Sequence, residues 1–106
     1  MKLIAKEPND GPVLAPARSE LKEAVDYYNK SEQQLGLRFS HAVKRARRSI
    51  VQYPLAWPSI SEITRHCQVR GFPYSLIYYL ESNEVVIVAV MHTKREPQQW
   101  RERLKS

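Results

Sequence analysis

The sequence predicts an α+β domain in which an antiparallel sheet packs against an N-terminal helical hairpin, in the order β-α-α-β-β-β with a short C-terminal helix. Three observations carry this. Apolar residues recur at three- and four-residue steps between Ala17 and Ile50, the period of buried helix faces. Beyond Glu62 the period falls to two, the period of strands. Between these regimes lies a stiff connector, Pro54-Leu55-Ala56-Trp57-Pro58. At 106 residues the chain is one domain, 1–106, with an irregular segment at 1–12.

The N-terminal segment carries breaker signals at Pro8, Asn9-Asp10-Gly11 and Pro12. It offers two strand candidates, residues 2–6 and 13–14, and Pro12 confines the second to an edge or a strand start. The first helix starts near Pro16, which suits a first helical turn. Its stripe is Ala17, Leu21, Ala24, Val25 and Tyr28, and Asn29-Lys30 ends it. The second helix opens on a Ser-x-x-Gln capping box, Ser31-Glu32-Gln33-Gln34. Its stripe is Leu35, Phe39, Ala42, Val43, Ala46 and Ile50; Arg38, Arg45 and Arg48 project away from it, and Arg47 flanks it. The helix stops before Pro54, because the residue before proline is pushed out of helical geometry. A short polar link makes the pair an antiparallel hairpin. Trp57 is expected to plug the core beneath the connector.

In the sheet region Ile63, Arg65, Cys67 and Val69 alternate with their neighbours, and Gly71 permits a bend. Tyr74, Leu76, Tyr78 and Leu80 form the next alternation, and Ser82-Asn83 fits a two-residue hairpin loop. Val85, Ile87, Ala89 and Met91 alternate with Val86, Val88, Val90 and His92. This last strand is apolar on both faces, so it belongs inside the sheet, with the N-terminal strand as its second neighbour. Pro97 opens a final helix running to Leu104, anchored by Trp100.

Composition excludes several classes. The single Cys67 forms no internal disulfide, and one Cys with three unpaired His gives no zinc site, so no metal or cofactor is expected. The longest apolar run, residues 85–91, is too short to span a bilayer. No apolar leader core precedes Asp10, and a cytoplasmic location without membrane partners is the expectation. Phosphate loops, Gly-x-Ser-x-Gly and His-Glu-x-x-His are absent. The net charge of +6 is unevenly placed. Residues 33–61 hold no acid and five bases, Arg38, Lys44, Arg45, Arg47 and Arg48, and residues 92–106 add three net positive charges. Such a surface suits nucleic acid or an acidic protein segment, or serves only as a solvated face.

Three motifs in this order resemble the RelE/ParE superfamily of bacterial toxin–antitoxin modules. They are ARSELKEAVDYY at 17–28, LGLRF at 35–39, and FPYSLIYY at 72–79 followed by VAVMH at 88–92 and REP at 95–97. The resemblance implies the RelE/ParE-like two-layer fold and a small toxin neutralised by a cognate antitoxin, as in plasmid stabilisation systems. RelE-like members cut messenger RNA on the ribosome, as mRNA interferases. ParE-like members inhibit DNA gyrase without chemistry of their own.

Metal-free RNA cleavage needs a base, cations for the transition state and an acid. The candidates are His66, Arg65, Arg70, Tyr74, His92, Lys94 and Arg95, with His92, Arg70 and Arg95 carrying the chemistry if the protein is a ribonuclease. The resemblance does not decide through His92, since ParE-like members carry a histidine in the same Val-x-His-x-x-Arg setting, here Val90 to Arg95. RelE-like nucleases place an arginine where this chain has Ser75, and residues 49–64 contain no Lys or Arg. The favoured reading is therefore a ParE-like protein inhibitor that contacts its target through His92, Lys94, Arg95 and Tyr74. The alternatives are a ribosome-dependent endoribonuclease and an inactive relative that only binds antitoxin. An amphipathic, acidic antitoxin segment is expected to meet a basic rim of Arg38, Arg45, Arg48, Arg101 and Arg103. Tyr78 and Cys67 are read as packing residues.

Overall fold

A computed structural model describes residues 4–7, 11–94 and 102–104. The elements are β1 (Ile4–Glu7), β2 (Gly11–Leu14), α1 (Ala15–Ser31), α2 (Leu35–Gln52), β3 (Thr64–Gln68), β4 (Tyr74–Glu81) and β5 (Glu84–His92), then a 3₁₀ turn at Glu102–Leu104. The five strands lie in the order β1-β2-β5-β4-β3. Both N-terminal strand candidates are strands, and they pair with each other as an antiparallel hairpin.

The α+β class holds, with one ladder of the other sense. β2 runs parallel to β5, joined at Val13 and Ile87, while β3–β4 and β4–β5 are antiparallel. The sheet is therefore mixed. β5 lies between β2 and β4, as its two apolar faces require. Ser82 and Asn83 turn the β4–β5 hairpin with φ of 51° and 65°, the left-handed pair that matches strand twist.

Strict alternation fails once, in β5. Ile77 pairs with Ala89 and Tyr78 with Ile87, which leaves Val88 as a bulge. The extra residue reverses the side-chain phase beyond it. Val85 and Ile87 face the helices, but so does Val90; Val86, Val88, Ala89 and Met91 share the opposite core cluster. The alternation read from the sequence placed Val90 with Val86 and Val88, and the bulge corrects it.

The hairpin link also differs from the sequence reading. α1 continues through Ser31, whose hydroxyl donates to the Tyr27 carbonyl at 3.2 Å, so the expected capping box does not form. Gln34 stands before α2 with φ of 68° and supplies no side-chain cap. Asn29 of α1 takes over, its Oδ1 accepting the Gly36 N–H at 3.0 Å. A Cβ on Gly36 would lie 2.3 Å from that oxygen and 2.6 Å from the Val25 carbonyl, so only glycine allows the helices this close.

The helix-side core joins Ala17, Ala24, Phe39, Val43 and Ile50 to Leu76, Tyr78, Ile87 and Val90, with Trp57 packed against it as expected. Arg47 is not a flanking residue but is 4% exposed. Ile63, expected to point inward, is 60% exposed because β3 starts one residue later. On the far face Ile77, Tyr79, Val86, Val88 and Met91 are buried, with Ile60 and Leu104 packed against them. Of the expected final helix, the described residues contain the turn Glu102–Leu104; Pro97 and Trp100 lie outside them.

Candidate functional site

Two concavities flank the helical hairpin. The first lies between α1 and the exit of β5 and is lined by Glu20, Glu23, Ala24, Tyr74, Val90 and His92. The Val88 bulge makes it, because only the reversed phase turns Val90 and His92 toward α1. Tyr74 and His92 are opposite each other across the β4–β5 ladder, with ring centroids 5.2 Å apart at 74°. Thr93 N–H donates to the Pro73 carbonyl at 2.9 Å and fixes this end of the pair. His92 Nδ1 accepts the Lys94 N–H at 3.1 Å, which leaves Nε2 to carry the proton of a neutral ring. Tyr74 also meets Phe39 edge-on at 5.1 Å and Tyr28 edge-on at 6.2 Å, so it couples the site to the core.

The carboxylate beside His92 is built into the fold. Glu20 accepts two hydrogen bonds from Arg103, at 2.7 and 2.8 Å, and one from Val90 N–H at 3.1 Å. Arg103 also donates to the carbonyl of the bulged Val88 at 3.0 Å. Arg103 is thus not a rim cation. Its side chain is 17% exposed and committed to an internal pair, because a guanidinium at a half-buried carboxylate is held by two parallel bonds.

The second concavity runs between α2 and the edge strand β3. One part is lined by Leu35, Arg38, His41, Arg45, Gly71 and Phe72. The other is lined by Ala42, Arg45, Ala46, Ser49, Trp57, Cys67, Gln68 and Arg70. Arg45 belongs to both, so the two parts form one groove with an apolar floor and a basic rim. Among the described residues no carboxylate lines either part. Arg48 is exposed but borders neither part.

The sequence candidates therefore divide. His92 and Tyr74 share the first concavity, whereas Arg70 borders the second. Lys94 is exposed beside His92. Arg95 and Arg101 lie outside the described residues. Ser75 is buried at 9% exposure, opposite Met91. Arg65 donates to the Trp57 carbonyl at 2.6 Å and the Leu55 carbonyl at 3.3 Å, so it staples the connector. The Tyr78 hydroxyl donates to the Pro54 carbonyl and holds the same loop. Burial pushes the Tyr78 hydroxyl up to about 12, against the opposing pull of Arg65, and pushes the Cys67 thiol up to about 11. A thiol so placed is protonated at neutral pH and inert. The Tyr28 hydroxyl is also raised, first by burial and then by Tyr74 and Tyr27.

Glu20 and Glu23 were not singled out from the sequence. The signal was present for Glu20. It sits three residues after Ala17 and four before Ala24, on the buried stripe of α1, where a carboxylate requires a partner.

The family model described as the ParE toxin of the type II toxin–antitoxin system, parDE, matches residues 13–97. The chain belongs to the ParE toxin family. A comparison with curated proteins finds no match. The matched span begins at β2 and runs past β5, so it takes in both helices and both concavities. Membership makes this ParE-family chain the toxin of a type II module, which implies an antitoxin partner. No described helix is long and apolar enough to cross a membrane.

Proposed function

We propose that this ParE-family toxin acts by binding a protein target, DNA gyrase, through the sheet end that carries His92, Lys94 and Tyr74, with Arg95 as a further proposed target contact, and that it performs no chemistry. One observation carries the reading. Among the described residues, the concavity beside His92 is lined by two glutamates and no cation, since Arg103 serves Glu20 from within the fold. A phosphodiester entering it would meet Glu23 without the positive charge that the developing phosphorane needs. Arg70, one of the sequence candidates for that charge, borders the other concavity. An acid-lined pocket with two aromatic rings suits a basic or polar side chain of a protein partner.

Neutralisation belongs to the α2–β3 groove. An amphipathic antitoxin segment would set apolar side chains on Leu35, Phe72 and Trp57 and its carboxylates on Arg38, Arg45 and Arg70. Arg101 and Arg48 are proposed as further antitoxin contacts, Arg48 from the exposed face of α2.

The test is tightly controlled expression with three measurements: supercoiling by purified gyrase, double-strand breaks and transcript integrity. Gyrase inhibition with intact transcripts supports the reading. Cut transcripts that disappear in His92→Ala would replace it with a ribonuclease. Absence of any toxicity would leave an antitoxin-binding relative.

A further inference from the structure

We infer that the solvent face of α2 is a docking surface for the phosphate backbone of duplex DNA. Arg38, His41, Lys44, Arg45 and Arg48 are all exposed. Residues 38, 41, 45 and 48 fall at steps of three, four and three, which places them on one stripe of the helix. The stripe spans ten residues, about 15 Å of rigid axis. No acid occurs from residue 33 to residue 61 to neutralise it. Glu32, just before α2, pairs with Arg38 at 3.0 Å, but both side chains are more than half exposed and the pair exchanges freely with other anions. The buried side of α2 is locked by Phe39, Ala42, Val43, Ala46 and Ile50, so the cations are carried on a fixed rod.

Shape decides between a polynucleotide and an acidic peptide. A peptide gains most from a concave apolar floor, and that lies in the groove on one side of the stripe, whereas the solvent face of α2 carries the well-separated Leu37 and Val51, 53% and 48% exposed. Lys44 and Arg48 border neither part of that groove and stand on the convex face. A convex rod of cations matches a partner that is itself a continuous line of charge, and B-DNA presents one phosphate charge per about 1.7 Å of axis. Three of the four formal cations are arginines, whose planar fork binds phosphate oxygens in pairs. Contacts of this kind position a protein on DNA without reading sequence. The inference stands on the α2 surface alone and does not depend on the target proposed above.

The experiment is fluorescence anisotropy of a labelled mixed-sequence duplex with the purified full-length toxin, free of antitoxin, between 50 and 200 mM salt. Four phosphate contacts give a log–log salt slope near −3.5, a loss of about 100-fold in affinity across that range. The double variant Lys44→Gln/Arg48→Gln, with unchanged circular dichroism and melting temperature, is expected to reduce the slope magnitude by about 2. Antitoxin binding, measured on Lys44→Gln alone because Arg48 is also a proposed antitoxin contact, reports separately on the groove. Three results would overturn the inference. They are no binding of duplex at 50 mM salt, an unchanged slope in the double variant, and competition by polyglutamate as strong as that by unlabelled duplex at equal charge. The last would reassign the face to a carboxylate-rich protein.

Discussion

Glu20 and Arg103 stand 83 positions apart in sequence and form a two-bonded ion pair at 2.7 and 2.8 Å over the open side of β5. Each also satisfies a backbone group of that strand, Glu20 at Val90 N–H and Arg103 at Val88 C=O. β2 bridges β5 at Val13 and Ile87 and ends at Leu14. Beyond it the two side chains serve the strand edge where β2 no longer runs beside it.

Removing one partner leaves the other charge half-buried and a strand group unpaired. Arg103→Ala is expected to lower stability by about 3 kcal/mol. Urea denaturation would measure it, and faster exchange of the Val90 amide would locate it. The double variant Glu20→Met/Arg103→Met is expected to recover much of the loss, because no uncompensated charge remains.

Gly36→Ala forces a methyl group against Asn29 and the Val25 carbonyl. The expected cost is about 1–3 kcal/mol. Asn29→Ala in the same chain will not restore stability, since the Val25 carbonyl at 2.6 Å is backbone and cannot move aside. Thermal melts of the two variants check this.

Alkaline pH should weaken the fold in two overlapping steps. Folded Cys67 keeps its proton to about 11, against an ordinary value of 9.0, and folded Tyr78 to about 12, against 10.0. Between each pair of values the unfolded chain releases a proton that the folded chain retains, so stability falls as pH rises. Below pH 9 neither group contributes a slope. Denaturant midpoints at pH 8 to 12 should therefore decline. Cys67→Ala should flatten the lower part of the decline and Tyr78→Phe the upper part. Tyr78→Phe also loses the bond to Pro54, worth about 1 kcal/mol at any pH.

His92→Ala should leave the fold intact, because the ring is half-exposed at the end of the sheet, edge-on to Tyr74. Under the proposed function it should weaken gyrase binding at least tenfold, measured by inhibition of supercoiling. Lys94→Gln should weaken it less, since exposed charges at a rim act mainly on association rate.

Helix faces, strand order and the central place of β5 were legible because burial imposes its period on sequence. Ala17, Ala24, Phe39 and Ile50 announce their faces, and the doubly apolar β5 announces two neighbours. The Val88 bulge was not legible. Every residue from Val85 to Met91 is apolar, so no polar position marks where the alternation slips. That one slip decides that His92 faces α1. The capping box misled because Ser31 and Gln34 fit a local pattern, while the stronger constraint was the Gly36–Asn29 contact between helices. Arg103 lies in a charge-rich tail, where local sequence gives no hint of a partner in α1.

The pairing of β2 with β5 sets an order on synthesis. A ribosome delivers the β1–β2 hairpin and both helices before β3, β4 and β5 exist. α1 and α2 can pair through Gly36, but their sheet-side surface stays wet until β3, β4 and β5 emerge. β2 waits longest, because its bridge at Val13 closes a loop that ends at Ile87. Productive folding of this toxin is thus postponed until β5 has emerged, and its sheet and the concavity at His92 are completed together in one step.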